Sequence, residues 1–220
     1  MKSNPSQLPP IKHYFQPDEG SYLNRYPHAP QCPCRILICG ASGTGKTNVL
    51  LNLILQYLAY DKLFLFAKDL SESKYELLQD LFKETPDDVV LSEDRNIVSV
   101  DELDASIQNL ICFDDYVTDK DQQDIEDLFI RGRKKNASVI YLTQSYYRTP
   151  KNIRLQCDYI ILMKSCNLRE MNFILKEHSV DDTLKNKYDT AVKDPHNFFL
   201  IDLKTQDPKL RYRKNFNETI

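Results

Sequence analysis

The chain has 220 residues and a formal net charge of −3, and 41% of its residues are hydrophobic. A chain of this length is typical of one domain, and its hydrophobic content excludes a chain that is disordered throughout. The longest apolar runs have five residues, far fewer than the ~18 that a membrane-spanning helix needs, so no span is expected. The first residues include no apolar segment, which predicts a protein that is not secreted.

Proline is concentrated at the start of the chain, where seven of the 11 prolines fall within residues 1–33. Proline lacks a backbone donor and interrupts helices, so residues 1–33 are predicted to form an extended arm. Four aromatic residues could anchor this arm: Tyr14, Phe15, Tyr22 and Tyr26. Packing of the arm on its own domain is the simpler interpretation, and a strap onto a neighbouring subunit is the alternative.

From Cys34 onward, short apolar runs alternate with amphipathic stretches. This pattern is typical of a parallel sheet with crossover helices, so residues 34–204 are predicted to form an α/β domain with helices flanking a mostly parallel sheet. Strands are predicted at 35–39, 63–67, 110–113, 138–143, 159–163 and 198–202, and helices at 44–60, 71–82, 119–133, 168–177 and 180–192. Residues 205–220 are rich in basic side chains and are predicted to form a solvated tail.

Glycine is scarce, with five residues in the whole chain, yet three of them lie within six consecutive positions. They belong to Gly40-Ala-Ser-Gly-Thr-Gly-Lys-Thr47, a full match to the phosphate-binding pattern G-x-x-x-x-G-K-[ST]. The motif follows an apolar strand and opens a helix, where backbone N–H groups and the helix dipole form a cradle for phosphate. The predicted nucleotide-binding residues are therefore Gly40, Ala41, Ser42, Gly43, Thr44, Gly45, Lys46, Thr47 and Asn48.

Specific roles follow from this motif and from two later strand ends. Lys46 is predicted to contact the β- and γ-phosphates, and Thr47 to give its hydroxyl to Mg²⁺. Asp114 ends an apolar strand, where a carboxylate beside the phosphate loop serves as the second Mg²⁺ ligand. Asp115 is the candidate base that deprotonates an attacking water. Gln144, at the end of the next predicted strand, is predicted to sense the γ-phosphate or to position the water.

Basic residues are unevenly placed: seven of them, and no acidic residue, lie between positions 131 and 154. Cations at a helix C-terminus complement its dipole, which accounts for those at 131–135 but not for those at 148–154. An arginine of this cluster could therefore serve as a finger that reaches a neighbour's γ-phosphate. Contacts of this region with a DNA backbone are the alternative, since a chain with negative net charge binds nucleic acid only through local patches.

These motifs together resemble the FtsK–HerA superfamily. The resemblance rests on the loop Gly40–Thr47, the strand ending in Asp114-Asp115, the stretch R-G-R-K-K-N-x-S-V-I-Y-L-T-Q-S at 131–145 and P-x-x-I-R at 150–154. Within the superfamily they are most similar to the genome-packaging ATPases of poxviruses, virophages and Polinton-type elements. The Lys74-Tyr75 pair after the second strand also fits that group.

The resemblance implies a P-loop NTPase with sheet order 5-1-4-3-2 that binds ATP and Mg²⁺ between the subunits of a pentameric or hexameric ring. Hydrolysis would drive double-stranded DNA into a preformed capsid, so the implied partners are DNA, further copies of the chain, and capsid or portal-vertex proteins. The implied location is the host cytoplasm or nucleus at sites of virion assembly, or the virion itself. The resemblance also implies an arginine finger, for which Arg131, Arg133 and Arg154 are the candidates. The acid at the position of Asp115 is usually Glu in motor ATPases.

Two other interpretations use the same loop. A P-loop kinase acting on a small substrate would share it, but the sequence has no lid insertion, and paired acids suit attack by water. A non-hydrolysing nucleotide-binding interaction module is disfavoured because all five of the residues that hydrolysis needs occur together: Lys46, Thr47, Asp114, Asp115 and Gln144.

Overall fold

A computed structural model describes residues 26, 28–94, 96–119, 121–164, 167–178 and 183–220. Most of the predicted arm, including Tyr14, Phe15 and Tyr22, lies outside the described residues. The described end of the arm packs on its own domain: the Tyr26 ring lies 5.6 Å from the ring of Tyr57, and the Gln31 amide donates to the Tyr159 hydroxyl at 3.3 Å.

Within the described residues, nine strands form one sheet. They are β1 (Arg35–Cys39), β2 (Lys62–Ala67), β3 (Val89–Ser92), β4 (Asn109–Asp114), β5 (Ala137–Thr143), β6 (Tyr159–Leu162), β7 (Phe199–Asp202), β8 (Tyr212–Lys214) and β9 (Glu218–Thr219). Their order across the sheet is β3-β2-β4-β5-β1-β6-β7-β8-β9. All pairs from β3 to β6 are parallel, and the pairs from β6 to β9 are antiparallel.

Helices connect these strands. They are α1 (Lys46–Asn52), α2 (Ser73–Leu81), α3 (Gln123–Arg131), α4 (Lys151–Gln156), α5 (Leu168–His178) and α6 (Leu184–Ala191). The segment Leu53–Tyr57 continues α1 as a π-helix, and Gly132–Lys135 continues α3 as a 3₁₀ turn. Among the described residues, none of these helices is both long enough and apolar enough to cross a membrane.

The core lies on both faces of the sheet because side chains alternate along each strand. In β1, Ile36 and Ile38 face the layer formed by α1 and α2. Leu37 and Cys39 face the opposite layer, which contains buried residues of α3, α4, α5 and α6. Strands that are buried on both faces are characteristic of parallel sheets covered by crossover helices, so the predicted fold class is confirmed.

The strand order implied by the family resemblance covers only part of this sheet. The order 5-1-4-3-2 corresponds to the central strands β6-β1-β5-β4-β2, but the sheet continues with β3 at one edge and β7, β8 and β9 at the other. Sequence reading missed β3 because its four residues, Val89–Ser92, are at most partly buried and show no full apolar run.

The C-terminal residues predicted to be a solvated tail include two strands of the sheet. Arg213, in β8, has a side chain only 3% exposed, and its guanidinium donates to Asp202 at 2.8 Å. It also donates to the carbonyl oxygens of His28 and Phe216. A buried guanidinium needs such partners, so this basic residue joins the end of the arm, the last strands and the domain.

Gly40 is the first residue of the phosphate loop and lies against the residue that follows β6. A Cβ atom at position 40 would lie 2.5 Å from Met163 Cβ and 2.7 Å from Thr44 Oγ1. Gly40→Ala therefore forces the loop away from the sheet, and we expect it to lower the free energy of unfolding by about 1–3 kcal/mol.

Gly132→Ala is the matched control. The nearest neighbour of a Cβ added at position 132 would be Ala137 Cβ at 3.5 Å, and the φ of −56° at Gly132 is helical, so we expect unchanged or slightly higher stability. Denaturant unfolding of the two variants measures the difference, and equal stabilities would contradict the close approach at Gly40.

Candidate nucleotide-binding site

The phosphate loop joins β1 to α1 through glycines in conformations that other residues avoid. Gly43 has φ 75° and Gly45 has φ 101°, both in the left-handed region that glycine enters without steric cost. The loop closes on itself, since the Thr44 hydroxyl donates to the Ala41 carbonyl at 2.8 Å. α1 then begins at Lys46 with no acidic residue in its first turn, so no side chain there neutralises the positive end of the helix dipole.

A cleft of about 530 Å³ opens beside this loop, at the edge of the sheet where the parallel strands end. Ligand sites of open α/β sheets lie at this carboxyl edge. The cleft is lined by Ser42, Gly43, Gly45, Lys46, Thr47, Asn48, Glu72, Lys74, Asp114, Asp115, Leu142, Thr143, Gln144 and His196. The structure thus brings together the loop and the three polar residues predicted at the ends of β4 and β5.

Lys46 points its ammonium back over the loop, where Nζ donates to the Ala41 carbonyl at 3.0 Å. Burial lowers the pKa of Lys46, and the neighbouring carboxylates of Asp114 and Asp115 oppose that shift. A partly desolvated ammonium held by a single carbonyl is well placed to bind a phosphate oxygen, because a charged acceptor makes the stronger hydrogen bond.

Asp114 is fixed by a residue whose role the sequence did not indicate. The buried Tyr75 hydroxyl, from α2, donates to Asp114 Oδ2. Burial raises the pKa of Asp114, while the Tyr75 hydrogen bond and the Lys46 charge lower it. Burial also raises the pKa of Tyr75, so its hydroxyl keeps the proton that it donates. The sequence motifs included Tyr75 only in the Lys74-Tyr75 pair that fits the family resemblance.

The oxygen groups of the cleft suit Mg²⁺. This ion prefers oxygen ligands and is commonly held by one or two carboxylates together with substrate phosphates. The Thr47 hydroxyl and the Asp114 carboxylate line the same cleft, and the hydrogen bond from Tyr75 to Oδ2 leaves Asp114 Oδ1 for a metal. The donor set therefore fits the predicted ion.

Asp115 lies on the surface of the cleft in a left-handed backbone conformation, with φ 63° and ψ 30°. Among non-glycine residues, Asp and Asn adopt this region most readily, whereas Glu lacks the short side chain that compensates locally. The backbone conformation at this position therefore favours Asp over the Glu that the resemblance leads one to expect.

Glu72 and His196 line the cleft but belong to no motif, and Lys74 was named only in the Lys74-Tyr75 pair of the resemblance, without a role in the site. Glu72 is the N-cap residue of α2, and its charge acts on Lys46 and Asp114. Each residue reaches the cleft through tertiary packing, so no spacing in the sequence could have identified it.

Gln144 is exposed at the tip of β5, and the residues after it are held by α5. The Tyr146 amide donates to Glu170 Oε1 at 3.0 Å. The Tyr146 hydroxyl lies 2.8 Å from both Glu177 Oε2 and His178 Nε2. The segment that carries Gln144 is therefore anchored to one face of α5.

Arg154 is buried and held by contacts within its own subunit. Its side chain is 8% exposed, and its guanidinium donates to Glu177 at 2.9 and 2.6 Å and to the carbonyls of Tyr147 and Thr149. Breaking a buried pair of this kind leaves an uncompensated charge and costs about 3–5 kcal/mol. The structure therefore disfavours Arg154 among the three candidates.

Arg131 and Arg133 lie at the opposite edge of the sheet from the cleft. α3 leads from the carboxyl end of β4 back to the amino end of β5, and β5 has seven residues, so these arginines are about 20 Å from their own loop. Arg131 is 47% exposed and pairs with Asp101 at 2.6 Å. Arg133 is exposed, and its side chain forms no hydrogen bond or ion pair with the described residues.

Comparisons with solved structures identify the fold. The genome packaging NTPase B204 from Sulfolobus turreted icosahedral virus 2 in complex with AMP has a TM-score of 0.57 and 15% identity, covering 84% of this chain and 98% of that chain. The same protein in complex with ATP-gammaS has a TM-score of 0.55 and 15% identity, covering 87% and 100%. ATPases 2 and 3 of EssC from Geobacillus thermodenitrificans have a TM-score of 0.54 and 12% identity, covering 85% of this chain and 40% of that chain.

At these identities, the structural likeness shows a shared P-loop NTPase fold. No curated protein matches the sequence. A family model described as the poxvirus A32 protein matches residues 26–191 of the 220. Because this match covers well over half of the chain, the protein belongs to the poxvirus A32 protein family, which confirms the resemblance found in its motifs.

Proposed function

We propose that this protein is an ATP-hydrolysing motor that moves double-stranded DNA, packaging a viral or virus-like genome into a capsid. The observation that carries the proposal is the convergence in one cleft of Lys46, Thr47, Asp114, Asp115 and Gln144. Membership of the A32 family supports it, as does the fold shared with a genome packaging NTPase that binds AMP and ATP-gammaS.

In the proposed reaction, Lys46 binds the β- and γ-phosphates of ATP, and Thr47 and Asp114 hold Mg²⁺. When bound, the metal ion neutralises charge on the phosphate oxygens. Gln144 orients a water whose oxygen attacks the γ-phosphorus, while the bond from that phosphorus to the bridging oxygen of ADP breaks. A carboxylate accepts the proton that the water loses.

Two carboxylates of the cleft can accept that proton: Asp115, as predicted from its position after Asp114, and Glu72 from the start of α2. Both are exposed to the cleft. The remaining acid, Asp114, already receives the Tyr75 hydrogen bond and is assigned to the metal.

Completion of the site by a neighbour is part of the proposal. Among the described residues, no arginine lines the cleft, and Arg131 and Arg133 lie too far from it to act in their own subunit. A ring of five or six copies would bring them to the next subunit's γ-phosphate, with capsid or portal-vertex proteins as further partners at sites of virion assembly. A small-substrate kinase is not favoured, because the paired acids suit attack by water.

The first test is ATP turnover with and without duplex DNA. We expect duplex DNA to stimulate turnover, and Lys46→Ala to lower it by at least ~100-fold because the phosphate loses its charged donor. Lys83→Ala is the control, since Lys83 is exposed and pairs only with Asp80 on its own helix end. No turnover at any protein or DNA concentration would contradict the motor.

The catalytic base is tested by Asp115→Asn and Glu72→Gln. Asparagine tolerates the left-handed backbone at position 115, so this change removes the carboxylate without disturbing the loop. We expect the variant that removes the base to lower kcat by about 10²–10⁴-fold while nucleotide binding persists. If both variants keep wild-type kcat, neither carboxylate accepts the proton.

Mixing variants tests the shared site. Arg131→Ala or Arg133→Ala subunits keep an intact cleft, and Lys46→Ala subunits keep the arginine, so mixed assemblies should regain activity that neither variant has alone. A mixture of Lys46→Ala with Asp114→Asn is the control, since both changes disable the same cleft and no rescue is expected. If neither arginine variant is rescued, neither Arg131 nor Arg133 is the finger.

A further inference from the structure

The loop between β5 and α4 exposes an aromatic ring that is held by two neighbours. Tyr147 is 45% exposed, although it follows the fully buried Tyr146. Its ring centroid lies 4.8 Å from that of Phe173, and the Arg169 guanidinium lies over the ring at 4.5 Å. Both neighbours belong to α5, so the loop is attached to this helix at its surface as well as in the core.

Exposed basic residues accompany this ring in the loop and on α5. Arg148 follows Tyr147 in the loop, and Arg169 and Lys176 are exposed on α5. Residues 169, 173 and 176 share one face of a helix, because residues three, four and seven apart lie on the same side. We call Tyr147, Arg148, Arg169, Phe173 and Lys176 the loop–α5 surface.

The two acids of the same helix are occupied by other contacts. Glu170 is buried and accepts the Tyr146 amide hydrogen bond. Glu177 is paired with the buried Arg154. Within residues 145–154 and 167–178, these are the only acidic residues, so the fully exposed charged side chains of these two segments are basic, in a protein of net charge −3.

We propose that the loop–α5 surface binds the phosphate backbone of double-stranded DNA, an inference that rests on the proposed motor function and names its DNA contact. Clustered Arg and Lys side chains neutralise phosphates and release counterions. The Tyr147 ring holds the Arg169 guanidinium in place, so less side-chain entropy is lost when the arginine binds a phosphate.

The surface fits a duplex better than an unpaired strand. Proteins that bind single strands stack bases on open aromatic faces. Arg169 already covers one face of the Tyr147 ring, and Phe173 packs beside it, so this ring is a support for a cation rather than a platform for a base. Contacts to phosphates fix position without reading sequence, which is what movement along any genome requires.

The same loop leads directly to the nucleotide cleft. Tyr147 is three positions after Gln144, and its carbonyl accepts from Arg154, which is in turn paired with Glu177 of α5. A phosphate bound at the surface and a γ-phosphate bound at Gln144 therefore act on one short, anchored segment. This connection gives the DNA contact a direct route to the ATP site.

Binding to a labelled 30-base-pair duplex, measured by fluorescence anisotropy at several salt concentrations without ATP, tests the proposal. For the triple variant Arg148→Gln, Arg169→Gln, Lys176→Gln we expect at least ~10-fold weaker binding and a salt slope reduced by about one for each charge removed. Lys83→Gln is the matched control and should bind as the wild type does. Thermal unfolding of each variant confirms that it is folded.

A second pair of variants separates the ring from the charge. Tyr147→Ala should weaken duplex binding because Arg169 loses its support, and Tyr147→Phe, which keeps the ring, should bind as the wild type does. If the wild type binds duplex DNA and the triple variant binds equally well, the surface is wrong while the motor stands. Tighter binding of a single strand than of the duplex overturns the surface as a duplex contact. Failure of the wild type to bind DNA, together with turnover that DNA does not stimulate, overturns both.

Discussion

The parallel register of β1, β5 and β4 determines where each residue of the candidate site lies. β5 pairs with β1 on one side and β4 on the other, with Cys39 opposite Thr143 and Asp114 opposite Leu142. The Gly40 amide then donates to the Thr143 carbonyl at 3.1 Å, which sets the phosphate loop level with the tip of β5. Because a slip of one residue turns a side chain to the other face of the sheet, this pairing holds Asp114 within reach of the loop.

Burial divides the basic residues into two groups: buried arginines that stabilise the fold, and exposed arginines that can bind a partner molecule. Arg154 and Arg213 are buried and paired with carboxylates at 2.6 and 2.8 Å. Desolvation makes such pairs costly to break, so these arginines hold segments of the fold together. Arg133 and Arg148 are exposed, so their charges are accessible to a partner molecule. A count of charges along the chain treats both groups alike, and only the packing separates them.

The fold class and half of the cleft were predictable because the informative residues follow readable apolar strands. Asp114 and Gln144 come at the ends of such strands, Lys46 follows β1 through the phosphate loop, and parallel strands bring their carboxyl ends to one edge. The other half was not predictable. Tyr75 contacts Asp114 through the packing of α2. Outside the cleft, α4 is too short to show a helical period, and the burial of Arg213 depends on a partner in another strand. The basic composition of residues 205–220 predicted a tail exposed to solvent, whereas the antiparallel strands bury the Arg213 guanidinium.

The two edges of the sheet carry different parts of the proposed reaction. Lys46 and the acids lie at the carboxyl edge, whereas Arg131 and Arg133 lie at the amino edge, about 20 Å away. That separation exceeds the reach of any side chain, so under the proposal Arg131 and Arg133 would act on the cleft of a neighbouring subunit and not on their own. A contact between the amino edge of one copy and the carboxyl edge of the next is heterologous, and repeating it by rotation closes a ring. In the proposed ring, hydrolysis would depend on assembly, since the described residues of one subunit place the phosphate loop and the acids in the cleft but no arginine.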